Sequence, residues 1–300
     1  MRIPILILSL VLSLVPAFAE AAVSESYAPG ADGVRIHLLQ AGPVAASHVV
    51  LFVSGWQTSA RIWSAQLDDL PARGYRVIAM DPRSQGGSTV VQSGNAPEDR
   101  ARDIHALIVG LDLHHLTLVG WSQGVQDVAA YVDRYGTAAL DDVVLVDSSV
   151  SAGPGNVTAN PAFIEAVLGY MALYSRDPRA YSDAFMHAII STPAPAATFA
   201  QLEDAFLRTP VDIGISMQMQ DMFTVDRRPA LKKFDKPTLV IASSQSQELH
   251  AQEHMAAALS QGRFVTVQHA AHAVFFDQPQ EFDRLLVDFI RDQAQDAHGN

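Results

Sequence analysis

Five short runs constrain this chain more than anything else in it. HVVLFV (48–53), YRVIAM (75–80), LTLV (116–119), VVLV (143–146) and TLVIA (238–242) are apolar almost from end to end. A strand with one wet face alternates apolar and polar residues. A strand apolar at nearly every position must be covered on both faces. Residues 62–70, 98–111 and 123 to about 135 lie between the runs and carry apolar side chains at helical spacing. Strands over 33–39 and 264–268 complete the set. A closing amphipathic helix is expected over 279–293, with Pro279 at its start, where a missing N–H costs least. This alternation predicts an α/β fold: a mostly parallel sheet with helices on both faces. At 300 residues, 49% hydrophobic and 17% charged, the chain has enough apolar side chains for such a core.

One stretch breaks the alternation. Residues 151–233 hold helical patterns, several prolines and Met171, Met186, Met217, Met219 and Met222, but no convincing strand. They are expected to form a helical cap insertion in a core domain made of 20–150 and 234–300. The methionines suit a core. Around an active site they also suit an apolar substrate, with Met217 and Met222 the expected wall.

The first residues stand apart. Arg2 is followed by an apolar run over 3–15 and then by Pro16-Ala17-Phe18-Ala19. This is the pattern of a secretory signal peptide over 1–19, with an uncleaved anchor as the alternative. The expected location is therefore secreted or periplasmic. No other run is long and apolar enough to cross a bilayer, so no membrane span is expected in the mature protein. There are no cysteines, so disulfides are impossible and stability must come from packing. The formal charge is −12, and loss of Arg2 leaves 19 basic against 32 acidic residues. Such a surface repels nucleic acid and anionic lipid, and nucleic-acid binding is not expected.

The chemistry begins at Gly120-Trp121-Ser122-Gln123-Gly124. A serine hydroxyl is a poor nucleophile unless a base lies within hydrogen-bond reach. Here it follows a buried strand and precedes a helix. A sharp turn there would lift it clear of the sheet, and glycines on both sides would relieve the crowding. An ordinary Gly-rich turn is the plainer reading. His250 and His254 share a helix face and could grip a metal, but no third ligand is evident and a solvated face accounts for them.

Several segments in order resemble the α/β-hydrolase family over roughly 33–291. LFVSGWQTSARIW resembles its third strand and oxyanion loop. VIAMDPRSQGGST resembles the next strand and turn, with Ser84 in place of a glycine and with Asp81 and Arg83 bracing. VGWSQG is similar to its nucleophile elbow, and TVQHAAHAVFFDQPQEF to its histidine segment. The likeness is to bacterial esterases and haloperoxidase-like members. It implies Ser122 as nucleophile and His272 as base, with His269 the competitor. It also implies an oxyanion hole built from the backbone N–H groups of Gln123 and Trp56. The Trp56 ring would otherwise serve as pocket wall.

The acid departs from the pattern. Most relatives carry an aspartate after the next-to-last strand, where this chain has Ser246. A neutral serine cannot offset an imidazolium as a carboxylate does. Two carboxylates could replace it. Asp147 ends VVLV, a position that supplies the acid in certain lipases, haloalkane dehalogenases and cofactor-free ring-cleaving dioxygenases. Glu248 lies two residues past the usual place and could reach back. Asp147 is the expected acid and Glu248 the alternative.

The resulting expectation is an exported serine hydrolase. It would act on a small apolar ester or lactone through an acyl-enzyme, with no metal or organic cofactor. A cofactor-free oxygenase of the same fold and a non-catalytic exported binding protein are the alternatives, since fold alone does not fix function.

Overall fold

The computed structural model describes residues 22–151 and 157–298. The signal-peptide expectation for 1–19 falls outside them. Eight strands form one sheet: β1 (Ser24–Pro29), β2 (Arg35–Ala41), β3 (Val49–Val53), β4 (Arg76–Met80), β5 (Leu116–Trp121), β6 (Asp142–Val146), β7 (Thr238–Ser243) and β8 (Gly262–Val267). Their order is β1-β2-β4-β3-β5-β6-β7-β8. The pairs β1–β2 and β2–β4 are antiparallel, and every pair from β4–β3 onward is parallel.

The apolar runs are the parallel strands, and β3, β5, β6 and β7 are buried at every residue. Their side chains alternate between two cores. Val50, Phe52, Val119, Val144 and Ile241 pack on one face, and Leu51, Val53, Leu118, Leu145 and Val240 on the other. The first face is covered by α1 (Ser64–Asp69) and α10 (Pro279–His298). The second is covered by α2 (Pro97–Gly110), α3 (Gln123–Tyr135) and α8 (Leu249–Ala258). The expected helix over 62–70 is broken into a 3-10 turn, Ala60–Trp63, the short α1, and a second 3-10 turn, Leu70–Arg73. Pro71 lies at the start of that second turn and has no N–H to carry α1 onward.

Strand β1 is absent from the sequence-based set. Its residues SESYAP leave only Ala28 buried, so no apolar run announces it. It is held by backbone pairing along β2, from Ser24 opposite Gln40 to Pro29 opposite Arg35. Between β6 and β7 the described residues form helices and no strand: α4 (Pro161–Arg176), α5 (Pro178–Ile189), α6 (Ala196–Phe206) and α7 (Val211–Phe223). These helices join the core that covers the first face. The ring of Trp56 meets Tyr174, Tyr181, Phe185 and Phe206 edge-on at 5.6–6.2 Å between centroids. No helix among the described residues is long and apolar enough to cross a membrane.

Candidate active site

Ser122 sits between the end of β5 and the start of α3 with φ 57° and ψ −120°. A non-glycine residue at positive φ is strained, and the surroundings must hold it there. They do so at three points. Ser122 N donates to Val146 O at 3.1 Å, and Ser122 O accepts from Val125 N at 2.9 Å. The third point is close packing by the flanking glycines. A Cβ on Gly120 would lie 2.4 Å from Gly124 O, and one on Gly124 would lie 2.5 Å from Val53 O. Any side chain at either position would push α3 off the sheet.

His272 and Asp147 converge on this serine. His272 Nε2 is 2.8 Å from Ser122 Oγ, and His272 Nδ1 is 2.8 Å from Asp147 Oδ2. Asp147 is buried, whereas Ser122 and His272 are half-buried at the edge of a cavity. Asp147 has φ 47°, and its amide donates to Ile241 O at 2.8 Å. Its other oxygen, Oδ1, accepts from Ser243 N at 2.8 Å and from Gln252 Nε2 at 3.4 Å. The carboxylate is thus aimed at the imidazole by the end of β7. Trp121 Nε1 donates to His272 O at 3.0 Å and fixes the loop from below.

Glu248 does not contact His272. Its Oε2 accepts from Ser149 N at 2.8 Å, so its reach is spent on the loop after β6. Ser246 takes up a supporting place: its Oγ accepts from Gln252 Nε2 at 2.9 Å, the same amide group that donates to Asp147. His269 is exposed, and its carbonyl accepts from Gln278 Nε2 at 2.9 Å, away from Ser122. His250 is solvent-facing on α8, 3.8 Å from Glu253. No group of three residues that could hold a metal ion occurs among the described residues.

Both expected oxyanion donors border the serine. Gln123 follows it directly. Gly55 is pressed against it, because a Cβ there would lie 2.9 Å from Ser122 Cβ. That contact brings the Trp56 backbone alongside Ser122. Trp56 also lines the cavity, and its ring donates from Nε1 to Gly214 O at 3.0 Å.

The cavity above Ser122 measures about 510 Å³. The insertion supplies Phe185, Ala188, Gln218, Asp221 and Met222 to its wall. This corrects the expectation of an apolar wall containing Met217. That residue is fully buried in the core, one helical turn from the cavity-lining Asp221, and two of the five insertion residues are polar.

A second group of polar residues behind the cavity was not expected. Arg100, fully buried on α2, donates from Nε to both oxygens of Asp127 at 2.8 and 2.9 Å, and from Nη2 to Asp221 Oδ1 at 3.0 Å. Asp221 Oδ2 accepts from Gln123 Nε2. Burial pushes Asp127 up to about 7 against the pull of Arg100, and burial raises Asp221 as well. One signal was available: Arg100 lies on the same face of its helix as Ile104, Leu107 and Ile108, where a charge must find a buried partner. At the turn after β4, Asp81 accepts from Ala60 N at 2.5 Å and Gly87 N at 2.6 Å. Arg83 pairs with Asp103 at 2.6 Å, as bracing of the turn after β4 requires.

Comparison with known proteins bears on the family of the chain. The chain is 31% identical over 229 residues to non-heme chloroperoxidase CPO-A1 of Kitasatospora aureofaciens, covering 72% of this chain and 79% of that protein. Among solved structures, the esterase RhEst1 from Rhodococcus sp. superposes with a TM-score of 0.77 at 27% identity, over 89% of this chain and 98% of its own. The esterase EaEST from Exiguobacterium antarcticum gives a TM-score of 0.80 at 20% identity, over 89% of this chain and 100% of its own, a likeness of fold. Residues 50–285 match the sequence profile of the alpha/beta hydrolase family, and the chain belongs to that family.

Proposed function

We propose that this chain is a serine hydrolase that cleaves small carboxylic esters or lactones through an acyl-enzyme. One observation carries the reading: the continuous hydrogen-bonded line from Ser122 Oγ through His272 to Asp147, at a strained turn on the floor of a cavity. Ser122 Oγ attacks the substrate carbonyl carbon while His272 Nε2 takes its proton. The carbonyl oxygen becomes an oxyanion facing the amides of Gln123 and Trp56. The tetrahedral intermediate then collapses, and His272 returns the proton to the departing alkoxide. A water molecule, deprotonated by the same nitrogen, attacks the acyl-enzyme and restores Ser122. Asp147 holds the proton of His272 on Nδ1, leaving Nε2 free to accept, and offsets the imidazolium charge. None of these steps draws on a metal or an organic cofactor.

The test is a panel of esters and lactones run on purified protein, with Ser122→Ala as blank. Turnover should fall on the order of a thousandfold or more in that variant, with the fold retained. Equal hydrolysis by the two proteins would defeat the mechanism. The reading includes export, on the strength of residues 1–19. The N-terminus of protein recovered outside the cytoplasm should lie near Glu20 or Ala22, and full-length protein held in the membrane would reject it.

A further inference from the structure

His272 stands in the loop between β8 and α9 (Val274–Asp277), and the residues on either side of it are tied to other elements. Ala273 N donates to Ile189 O, at the last residue of α5, at 2.8 Å. Ala271 N donates to Asp277 Oδ2 at 2.7 Å. The same carboxylate receives three groups from the turn that leaves α5. Ser191 N reaches its two oxygens at 2.9 and 3.0 Å, Ser191 Oγ reaches Oδ2 at 2.7 Å, and Thr192 N reaches Oδ1 at 2.7 Å. Thr192 Oγ1 donates in turn to Asp277 O at 3.3 Å.

Asp277 is only 5% exposed, and no described lysine or arginine pairs with it. A buried carboxylate without a cation is costly unless N–H and O–H groups surround it. Here burial pushes its pKa up. The Ala271 amide, the Ser191 hydroxyl and the Thr192 and Ser191 amides outweigh that and hold it below the ordinary carboxylate range. It is therefore a permanent acceptor at neutral pH.

We infer that Asp277 is a positioning residue for His272, through which the insertion sets where the base stands. Helix α5 plays both parts. Phe185 and Ala188 line the cavity, and the turn after Ile189 grips the histidine loop through Asp277. A substrate that displaces the wall displaces the base with it. The inference rests on the hydrolase reading, in which His272 is the base. A misplacement of about 1 Å at a catalytic group can cost on the order of a hundredfold in rate.

The variant to make is Asp277→Asn, whose amide leaves one oxygen where two now accept. Turnover is read per active site, counted by complete labelling with a fluorophosphonate. We expect kcat on a small neutral ester to fall roughly 10- to 100-fold, with KM within about threefold and the labelling rate falling in step with kcat. Ser191→Ala, which deletes one hydroxyl from the insertion side, should lower kcat by roughly three- to tenfold in the same pattern. A lower Tm with kcat and labelling rate unchanged would reduce Asp277 to a fold-stabilising residue and overturn the inference. A rise in KM alone would do the same. If Asp277→Asn does not fold, Ser191→Ala decides by the same criteria. Wild-type hydrolysis in Ser122→Ala would remove the hydrolase reading instead, whatever Asp277 does.

Discussion

Asp147→Asn should disable this site by inverting the histidine. Asp147 Oδ1 receives the Ser243 amide at 2.8 Å and Gln252 Nε2 at 3.4 Å, while Oδ2 faces His272 Nδ1 at 2.8 Å. An asparagine has one oxygen to place. The Ser243 N–H belongs to the backbone and cannot turn, so the amide oxygen must stay with it. The NH2 group then faces Nδ1, which can accept only if its proton has moved to Nε2. The ring would donate toward Ser122 Oγ, and the base would be lost. Restoring the working tautomer sets donor against donor. An unsatisfied buried donor costs about 1–3 kcal/mol, equal to roughly 5- to 150-fold in rate. Loss of the charge opposite the imidazolium supplies the rest, and the total should reach about three to four orders of magnitude in kcat. The assay is ester turnover per titrated site, beside nitrogen NMR of the ring to read the tautomer. Glu248→Gln, whose carboxylate accepts from the Ser149 amide and the Ser148 hydroxyl rather than from His272, should stay within about threefold of wild type. Retention of more than about a tenth of wild-type kcat by Asp147→Asn, or a His272 proton that remains on Nδ1 in that variant, would refute this account.

Met217→Gln should destabilise the fold by about 2–4 kcal/mol, whereas Met222→Gln, on the cavity wall, should cost under about 1 kcal/mol and shift acyl selectivity. Urea unfolding and a chain-length series would separate them. The cavity is lined by Asp147, Asp221 and Glu248 with no lysine or arginine among its lining residues. An ester bearing a carboxylate should therefore show kcat/KM at least about tenfold below its neutral isostere, with the gap closing as salt is added. His37, on β2, is 2.7 Å from Asp81 and 2.9 Å from Glu25, and its hydrogen bond to Asp81 holds its pKa above the usual value despite burial. A raised histidine pKa stabilises fully below the unfolded value near 6.5, and the gain disappears as pH rises through the folded value. The Tm advantage of wild type over His37→Gln should be larger at pH 6 than at pH 9.

The sequence announced what burial dictates and was silent where only contacts decide. Strands β3, β5, β6 and β7 were readable because each must be apolar on both faces, and the elbow because only glycine fits against Gly124 O and Val53 O. Strand β1 was not, since its side chains face solvent and its place comes from backbone pairing. The sequence favoured Asp147 but kept Glu248 as the alternative, because both lie at the ends of strands or loops at the same sheet edge. The amides of Ser243 and Ser149 aim them in different directions, and nothing local in the chain records that. Asp277 left no trace either: it reads as an ordinary polar residue two positions before a proline, and its four donors come from 6 to 86 residues away.

The residues that meet at Ser122 are far apart along the chain: His272 lies 150 residues from Ser122 and 125 from Asp147. Loop closure over such lengths must precede any contact that rewards it, so these contacts are expected to form late in folding. An intermediate with β3 to β6 assembled would carry much of the final circular dichroism and no working centre. On dilution from denaturant, activity should therefore return with the slowest phase, after the far-ultraviolet signal has recovered. On the proposed reading, ester turnover would double as a reporter of the last step of the molecule's own assembly.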